Sequence, residues 1–258
     1  MHIHRHWHDR PDRAHGAVVA FGAFDGVHRE HRRLLDAARA TASRRGVALI
    51  VAAPPESGPQ LTPLRLKVPL LRAAGVDALW LLRGRDVATG ADGLPQGSAA
   101  SAVVRDDAAA ATDDIRARIA TGDIAGAQAL LGRRYAIAAH VRDGRRLGRT
   151  IGFPTANLKL GRAVRPAFGV YAVRASTPDG RLAGQGGVAN IGVRPTVDGT
   201  TELLEAHLFD WSGDLYGRLL CVELVAFLRA ERRFAGLDEL KAQIARDADD
   251  ARAALAPM

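Results

Sequence analysis

Apolar runs and amphipathic stretches alternate over the first 82 residues of the chain. The apolar runs are short and continuous, as in strands that are buried on both faces. The stretches between them carry apolar residues at helical spacing. Gly46 suits the C′ position of the first helical stretch, residues 28–45. Pro69 should kink or shorten the second helical stretch, residues 64–74. Because strands separated by helices pair in parallel, this part predicts a doubly wound α/β sheet. The strand candidates are residues 17–24, 47–53 and 76–82, and the helix candidates are residues 28–45 and 64–74.

Residues 83–112 break this rhythm. They are rich in alanine, glycine, serine and aspartate, and they contain little that would fill a core. We expect a flexible connection here, or the remnant of a shortened segment. Residues 113–131 then carry two short helical patterns, and Gly132 is placed to end the second.

From Arg133 onward the chain changes to short apolar runs bounded by glycines and turn residues. Such runs are typical of a small antiparallel β-barrel. The last amphipathic stretch, Leu237–Leu255, predicts a closing helix with one apolar stripe. We therefore expect two domains, an α/β domain over residues 1–130 and a β-barrel domain over residues 131–258.

The chain is basic, with a net charge of +8, and all but three of its 36 basic residues are arginines. These arginines are scattered and aromatic residues are few, so we expect attraction of anionic nucleotides and not binding of nucleic acid. No apolar run approaches the length of a membrane span, and we expect no membrane association. Cys221 is the only cysteine; it lies in an apolar run and predicts an inert core thiol. This composition fits the cytoplasm.

Histidines alternate at the amino terminus, at His2, His4, His6 and His8. An extended strand would present all four on one face, so a metal site is one interpretation. No carboxylate or cysteine lies at ligand spacing, which favours a frayed, solvated leader.

The stretch GRTIGFPTANL, residues 148–158, combines features that suit a phosphate site. Its glycines permit close approach of the backbone, and the planar guanidinium of Arg149 matches phosphate oxygens. Pro154 sets the direction in which the chain leaves the turn. Thr155 and Asn157 share one face of an extended segment and offer hard oxygens of the kind that bind Mg²⁺. A β-turn that opens a strand is the simpler alternative.

This stretch resembles the signature of riboflavin kinase, the kinase half of bacterial bifunctional riboflavin kinase/FAD synthetases. The resemblance covers nearly everything from Leu131 onward, with several independent segments in one order. Those segments are GVYAV (169–173), GVANIGVRPT (187–196), EAHLFDW (205–211), GDLYG (213–217), FLRAERRF (227–234) and LDELKAQIARD (237–247).

The resemblance implies a Mg²⁺-dependent transfer of phosphate from ATP to riboflavin, with FMN as the product. Glu205 stands where the family has its catalytic base, and Thr155 and Asn157 match the magnesium-binding residues. From the residues alone, Glu205 would be a surface-facing glutamate. The residues that match the flap over the ATP phosphates are Gly144, Gly148, Arg149 and Gly152, and those near the flavin are Arg229 and Glu231; the alternative for the last two is a solvated helix entry.

Residues 22–35, GAFDGVHREHRRLL, resemble the nucleotide-binding segment of the FAD synthetase half, a Rossmann-like nucleotidyltransferase. His28 and His31 are retained, but Glu30 replaces the glycine between them and brings a carboxylate towards a triphosphate. A histidine and a glycine-rich segment of the family have no counterpart, and Asp113 and Asp114 replace hydroxyl-bearing residues. We therefore expect a degenerate, shortened half without FMN-to-FAD activity.

Three interpretations follow from the sequence. The first is a riboflavin kinase with a degenerate α/β partner domain. The second is the full bifunctional enzyme, and the third is a flavin- or nucleotide-binding regulatory protein without turnover. Riboflavin and ATP are the expected partners, and the sequence does not predict an oligomeric state.

Overall fold

The computed structural model describes residues 1–5, 16–83, 100–142, 153–196 and 199–256, except for the side chains of residues 195, 196 and 199. The chain divides into two compact units. The first comprises Met1–Asp114 with Leu130–Gly132, and the second comprises Ile115–Ala129 with Arg133–Met258. Residues 115–129 are thus grouped with the second unit, although they precede the boundary expected near residue 130.

The first unit contains a five-stranded sheet in which every pair of neighbours is parallel. Its order is β1-β4-β3-β2-β5. This arrangement confirms the predicted α/β sheet, because helices lie between consecutive strands of its centre. The strands are β1 (His2–His4), β2 (Val18–Phe21), β3 (Leu49–Ala53), β4 (Ala78–Leu81) and β5 (Ala102–Arg105), and the helices are α1 (Arg29–Arg45) and α2 (Leu64–Ala73).

Apolar residues cover both faces of this sheet, as expected for central parallel strands. On one face, Leu35, Ala38 and Ala42 of α1 pack against the sheet. The helix ends where Gly46 adopts a left-handed conformation with φ 65°, which confirms the predicted stop. Pro69 lies inside α2 without ending it.

Two edge strands differ from the expectations. His2–His4 was expected as a frayed leader, but it forms β1 and pairs in parallel with β4, so the expectation is wrong for these residues. The unpaired N–H and C=O groups at the edge of a sheet accept another strand readily. His6 and His8 lie outside the described residues. Within 83–112, where a connection was expected, residues 102–105 form β5 beside β2.

Two helices follow β5. They are α3 (Ala109–Thr121) and α4 (Ile124–Leu131). The first begins four residues before the position at which its pattern was expected to start, and it spans the division between the units. Gly132, with φ 70°, follows the second as predicted. Among the described residues no helix is both long enough and apolar enough to cross a lipid bilayer.

The second unit contains a six-stranded antiparallel sheet in the order β6-β11-β8-β9-β10-β7. An isolated bridge between Arg142 and Asn157 joins its two edges, so that the sheet approaches a closed barrel. The predicted antiparallel barrel is confirmed. Its strands are β6 (Ala136–His140), β7 (Ala156–Lys159), β8 (Gly169–Ser176), β9 (Gln185–Thr196), β10 (Gly199–Leu208) and β11 (Leu219–Ala230).

The last helix, α5 (Leu237–Leu255), covers one outer face of the barrel, and its bounds agree with the prediction. Ala248 and Ala251 pack against apolar residues of the barrel there. A bidentate ion pair joins α5 to β11. The Arg229 Nε and one terminal nitrogen of Arg229 donate to the two carboxylate oxygens of Asp247, at 2.7 and 2.6 Å respectively. Gln243 adds a third donor to Asp247 at 2.8 Å.

Replacing Asp247 by asparagine should lower the free energy of unfolding of the second unit by about 3 kcal/mol, because Arg229 would keep its charge without the carboxylate that neutralises it. The Asp247 side chain is only 6% exposed, so water cannot replace the lost partner. Urea denaturation of the variant and the wild type measures the difference. Asp250→Asn changes an exposed position of the same helix and serves as the control. Equal unfolding midpoints for the two variants would contradict the prediction.

Candidate active site

The strand register of the barrel brings the predicted site residues into one row. Glu205 of β10 lies directly opposite Asn157 of β7 on one side and Asn190 of β9 on the other. The row continues through Val170 of β8 to Arg229 of β11. Directly paired residues of antiparallel strands have Cβ atoms about 5 Å apart and point to the same face of the sheet. The five members of this row, which are distant in sequence, thus share one outer face of the barrel.

Neighbours of Glu205 on its own strand explain why the carboxylate faces outward. Leu204 and Ala206 are at most 1% exposed and point to the opposite face. Because side chains alternate along a strand, Glu205 then lies on the outer face, where its side chain is 27% exposed.

Thr155 and Asn157 line a cavity of about 320 Å³, which we call the β7 cavity. The carbonyl oxygen of Thr155 accepts from the Asn157 side-chain nitrogen at 3.5 Å, and among the described residues none donates to the Asn157 amide oxygen. The other lining residues come from the turn before β7, from the end of β10 and from the loop that follows it: Pro154, Ala206, Leu208 and residues 211–216, together with Val141 and Ala156.

The donor set of the β7 cavity fits a cation that is held chiefly by phosphates. Thr155 and Asn157 supply neutral, hard oxygens, which Mg²⁺ accepts together with substrate phosphates. Within the described ranges, histidine, cysteine, aspartate and glutamate nowhere form a group of three at metal-binding distance. A cation in the β7 cavity would therefore depend on its ligand for most of its coordination.

A second cavity, of about 330 Å³, lies between the outer face of the barrel and α5, and we call it the α5 cavity. Apolar side chains such as Val188 and Ile244 form much of its lining, and Glu205 and Arg194 add charge. Thr155 lines this cavity as well as the β7 cavity, so both cavities border that residue.

Glu205 is held by Arg194 inside the α5 cavity. The Arg194 Nε donates to Glu205 Oε2 at 2.8 Å, and a terminal nitrogen approaches the same oxygen at 2.6 Å. The other terminal nitrogen donates to Glu231 Oε1 at 3.0 Å, and Asn190 donates to that oxygen at the same distance. Burial of the guanidinium works to lower the pKa of Arg194, but the two carboxylates outweigh it and raise that pKa above its usual value.

Arg229 and Glu231 both line the α5 cavity, as does Glu205. Their hydrogen bonds bind them into the protein: Arg229 to Asp247, and Glu231 to Arg194 and Asn190. The structure thus brings five of the predicted residues, these three with Thr155 and Asn157, to two adjoining cavities. The predicted flap residues Gly144, Gly148, Arg149 and Gly152 lie outside the described residues.

His207 fixes the turn that leads into β7. Its Nδ1 donates to the Pro154 carbonyl at 2.9 Å, and its ring packs edge-on against Phe153 with centroids 5.1 Å apart. A carbonyl can only accept, so the Nδ1 atom carries the proton. The side chain therefore positions the turn that carries Thr155.

In the first unit, the retained histidines lie at the amino-terminal end of α1 and are buried. The rings of His28 and His31 stack with centroids 3.7 Å apart. The Thr112 hydroxyl donates to the Ala108 carbonyl, so it accepts from the His28 Nε2 at 3.0 Å. The His31 Nε2 lies 3.0 Å from an oxygen of Asp106. Internal oxygens thus engage the Nε2 atoms of both rings.

Asp106 also accepts from the backbone N–H groups of Phe24 at 3.0 Å and of Ala108 at 3.2 Å. Burial works to raise the pKa of Asp106, but the hydrogen bond and charge of His31 and the backbone donors outweigh it and hold that pKa below its usual value. A Cβ at Gly22 would overlap Asp106, so this close approach requires glycine. Glu30, by contrast, is exposed in the first turn of α1.

The loop before α1 is strained. Phe24 and Val27 are fully buried with φ of 47° and 41°, a region that a β-branched residue such as Val27 rarely adopts. Such conformations persist where the surrounding structure imposes them, and they are frequent at ligand sites. The strain therefore marks this loop as a second candidate site, in the first unit.

Sequence reasoning missed several of these residues. Asn190 and Arg194 lie in the segment GVANIGVRPT (187–196), but nothing in the local sequence pattern pairs them with Glu205. Asp106 lies in the stretch that was expected to be a connection, and Asp247 was part of a helix pattern. Each acquires its partner only through the fold.

Two family models match the chain. One, described as riboflavin kinase, matches residues 131–255, and the other, described as FAD synthetase, matches residues 10–83. The protein of Escherichia coli strain K12 named bifunctional riboflavin kinase/FMN adenylyltransferase is 36% identical, and the alignment covers 92% of each chain.

The protein of Pseudomonas fluorescens with the same name is 34% identical, over 100% of this chain and 99% of the relative. That alignment runs over 312 positions, whereas this chain has 258 residues, so the relative contains segments without a counterpart here. A crystal structure described as a macrolide-efflux protein from Streptococcus pneumoniae superposes with a TM-score of 0.80, covering 97% of this chain and 98% of that one. Its sequence is 24% identical, so this likeness supports the fold alone.

Replacing Asp106 by asparagine should destabilise the first unit at pH 7 by about 2 kcal/mol, because His31 and the backbone donors lose a charged acceptor. A carboxylate with a lowered pKa in the folded state stabilises above its unfolded pKa, and that stabilisation is lost as the pH falls through the lower folded pKa. The difference in the free energy of unfolding between Asp106→Asn and wild type should therefore become smaller below about pH 4. Urea denaturation at a series of pH values measures it.

Asp107→Asn, at the exposed neighbouring position, is the control for this measurement and should behave as wild type at every pH. A constant difference between Asp106→Asn and wild type from pH 7 to pH 3 would show that the carboxylate charge is not what stabilises the loop.

Proposed function

The chain belongs to the bacterial riboflavin kinase/FAD synthetase family, and on that premise we propose that it transfers the γ-phosphoryl group of ATP to the ribityl 5′-hydroxyl of riboflavin. The observation that carries the proposal is the pairing of Glu205 with Asn157 across β10 and β7. Thr155 lines both cavities, Asn157 lines one and Glu205 the other, so a carboxylate and the two oxygens that we propose as metal ligands border adjoining cavities. Phosphoryl transfer needs this combination of positioning, charge neutralisation and a proton acceptor.

ATP is proposed to occupy the β7 cavity with its phosphates towards Thr155 and Asn157. Mg²⁺ held by these oxygens and the phosphates would neutralise charge on the group being transferred. The loop after β10 lines the remainder of this cavity with Trp211 and Tyr216, which suit the base of a nucleotide. We propose from the resemblance that Gly144, Gly148, Arg149 and Gly152, which lie outside the described residues, contact the ATP phosphates.

Riboflavin is proposed to occupy the α5 cavity. The apolar lining from β8, β9 and α5 suits a flat ring system, and the charged groups at Arg194, Glu205 and Glu231 suit its polar edge and its ribityl chain. Arg229 and Glu231 retain the proposed role near the flavin, with Arg229 oriented by Asp247.

In the proposed reaction, Glu205 accepts the proton of the terminal ribityl hydroxyl. The hydroxyl oxygen forms a bond to the γ-phosphorus, and the bond between that phosphorus and the β–γ bridging oxygen breaks. ADP leaves with the electron pair, and FMN remains in the α5 cavity. Thr155 borders both cavities, and in the proposed reaction the hydroxyl and the phosphoryl group approach each other in line beside it.

We further propose that the first unit does not convert FMN to FAD. The N–H of Phe24 and the ring of His31 are donors of the kind that bind phosphate, and the carboxylate of Asp106 already occupies them. A triphosphate would meet this carboxylate at close range and lose its donors to it. The segments that relatives have and this chain lacks support the same conclusion.

The bifunctional enzyme remains the second candidate, and specific observations favour it. The FAD synthetase model matches residues 10–83, and the E. coli and P. fluorescens relatives are named for both activities. The strained loop at Phe24 and Val27 is likewise in place. The two candidates differ in one product, FAD.

Replacing Glu205 by glutamine or alanine should lower the rate of FMN formation from riboflavin, ATP and Mg²⁺ by roughly 100-fold or more, because the proton acceptor is lost. Glu202→Gln, on the same strand with its partner Arg165, is the matched control and should retain wild-type turnover. Chromatography of the flavin products measures the rate of FMN formation by the Glu205 variants and by the control. Wild-type turnover in Glu205→Gln would remove this residue from the mechanism.

The wild-type protein, incubated with riboflavin, ATP and Mg²⁺, should accumulate FMN without FAD. Supplying FMN directly should also leave it unchanged, because the proposed block lies in the first unit. FAD formation at a rate comparable to FMN formation would establish the bifunctional enzyme. Formation of neither product would favour the regulatory, non-catalytic interpretation.

A further inference from the structure

Arg194 of β9 is the cation at the centre of the α5 cavity. It contacts two carboxylates from different strands or loops, Glu205 of β10 and Glu231 just after β11. All three side chains are between 27% and 35% exposed, so they are partly withdrawn from water. Without the guanidinium, two like charges would share one partly buried space, and their repulsion would drive them apart or protonate one of them.

The geometry at Glu205 is end-on. Two nitrogens of Arg194 approach a single carboxylate oxygen, Oε2. Among the contacts of the described residues, none involves Oε1 of Glu205. One oxygen is therefore fixed by the protein, and the other stays available to a ligand in the cavity.

The far side of the guanidinium is fixed as well. Glu231 Oε1 accepts from Arg194 and from Asn190, each at 3.0 Å. A Cβ at Gly192 would overlap the Glu231 carboxylate, so the backbone of β9 approaches this carboxylate as only a glycine allows. A planar guanidinium with several donors can hold both carboxylates at once, which an ammonium group cannot do with comparable geometry.

We propose that Arg194 is a positioning residue for Glu205: it holds Oε2 so that Oε1 is directed at the substrate hydroxyl. This inference rests on the proposed kinase function, in which Glu205 accepts that proton. Arg194 itself does not need to touch the reacting atoms. Its loss should affect the chemical step more than the binding of either substrate, because the base would be present but misdirected.

The chain contains an ion pair that serves as a matched comparison. Arg165 donates to Glu202 of the same strand β10 at 2.7 Å, and both side chains are 36% exposed. Neither residue lines the β7 or the α5 cavity. If Arg194 merely stabilised the barrel through an ion pair, removal of Arg165 should have a similar effect on activity.

Steady-state FMN formation by wild type, Arg194→Ala, Arg194→Lys and Arg165→Ala tests the proposal. For Arg194→Ala we expect kcat to fall by about 10- to 100-fold, as for other groups that orient a catalytic residue, while KM for riboflavin and for ATP changes by less than about threefold. Arg194→Lys should show an intermediate fall in kcat, and Arg165→Ala should match wild type. Guanidinium ion, added far below denaturing concentrations, should restore part of kcat in Arg194→Ala but not in Glu205→Ala.

Other outcomes would overturn the proposal. Wild-type kcat in Arg194→Ala, a rise in KM at unchanged kcat, or equal losses in Arg194→Ala and Arg165→Ala would each exclude a positioning role. If Arg194→Ala does not fold, Arg194→Lys decides, and wild-type kcat in that variant would exclude the role. Absence of FMN formation by wild type would overturn the proposed function itself, and with it this role of Arg194.

Discussion

The hydrogen-bonded register of one antiparallel sheet determines where the strand residues of the candidate active site lie. The row from Asn157 through Glu205, Asn190 and Val170 to Arg229 crosses five strands. Because side chains alternate along a strand, a shift of one residue in any pairing would turn its members to the opposite face. At β10 such a shift would place the Glu205 carboxylate in the apolar interior. The apolar interior of the barrel thus sets the register, and the register sets the chemistry on the outer face.

Charge on that outer face is organised in pairs that also hold the unit together. Arg229 and Asp247 join β11 to α5, and Arg194 joins Glu205 to Glu231. Unpaired charges in such partly buried positions would be costly, and Arg229 and Arg194 both neutralise carboxylates that face the same cavity. Stability and the proposed reactivity therefore depend on the same side chains.

The first unit shows a different use of a carboxylate. Asp106 occupies donors at the amino-terminal end of α1, beside two stacked, buried histidines. A strained loop and a helix terminus lie together here, and an internal carboxylate engages their donors. Packing thus holds this loop and the two histidines in place around the Asp106 carboxylate.

Local periodicity determined much of this protein at the level of sequence: the parallel strands and helices of the first unit, the antiparallel strands of the second, and the closing helix Leu237–Leu255. These features follow from spacings within single segments, so the chain displays them directly. Family segments likewise singled out Glu205, Thr155 and Asn157. The edge strands β1 and β5 were not predicted from the sequence. Their stability comes from pairing with a neighbouring strand, which no local pattern indicates.

Only the tertiary structure decided which partners the charged residues have. Arg194 and Glu205 are paired across two strands, and His31 meets Asp106 from 75 positions along the chain. An ion pair depends on the distance between two atoms in space, and the order of residues does not specify that distance until packing and strand register have brought the segments together.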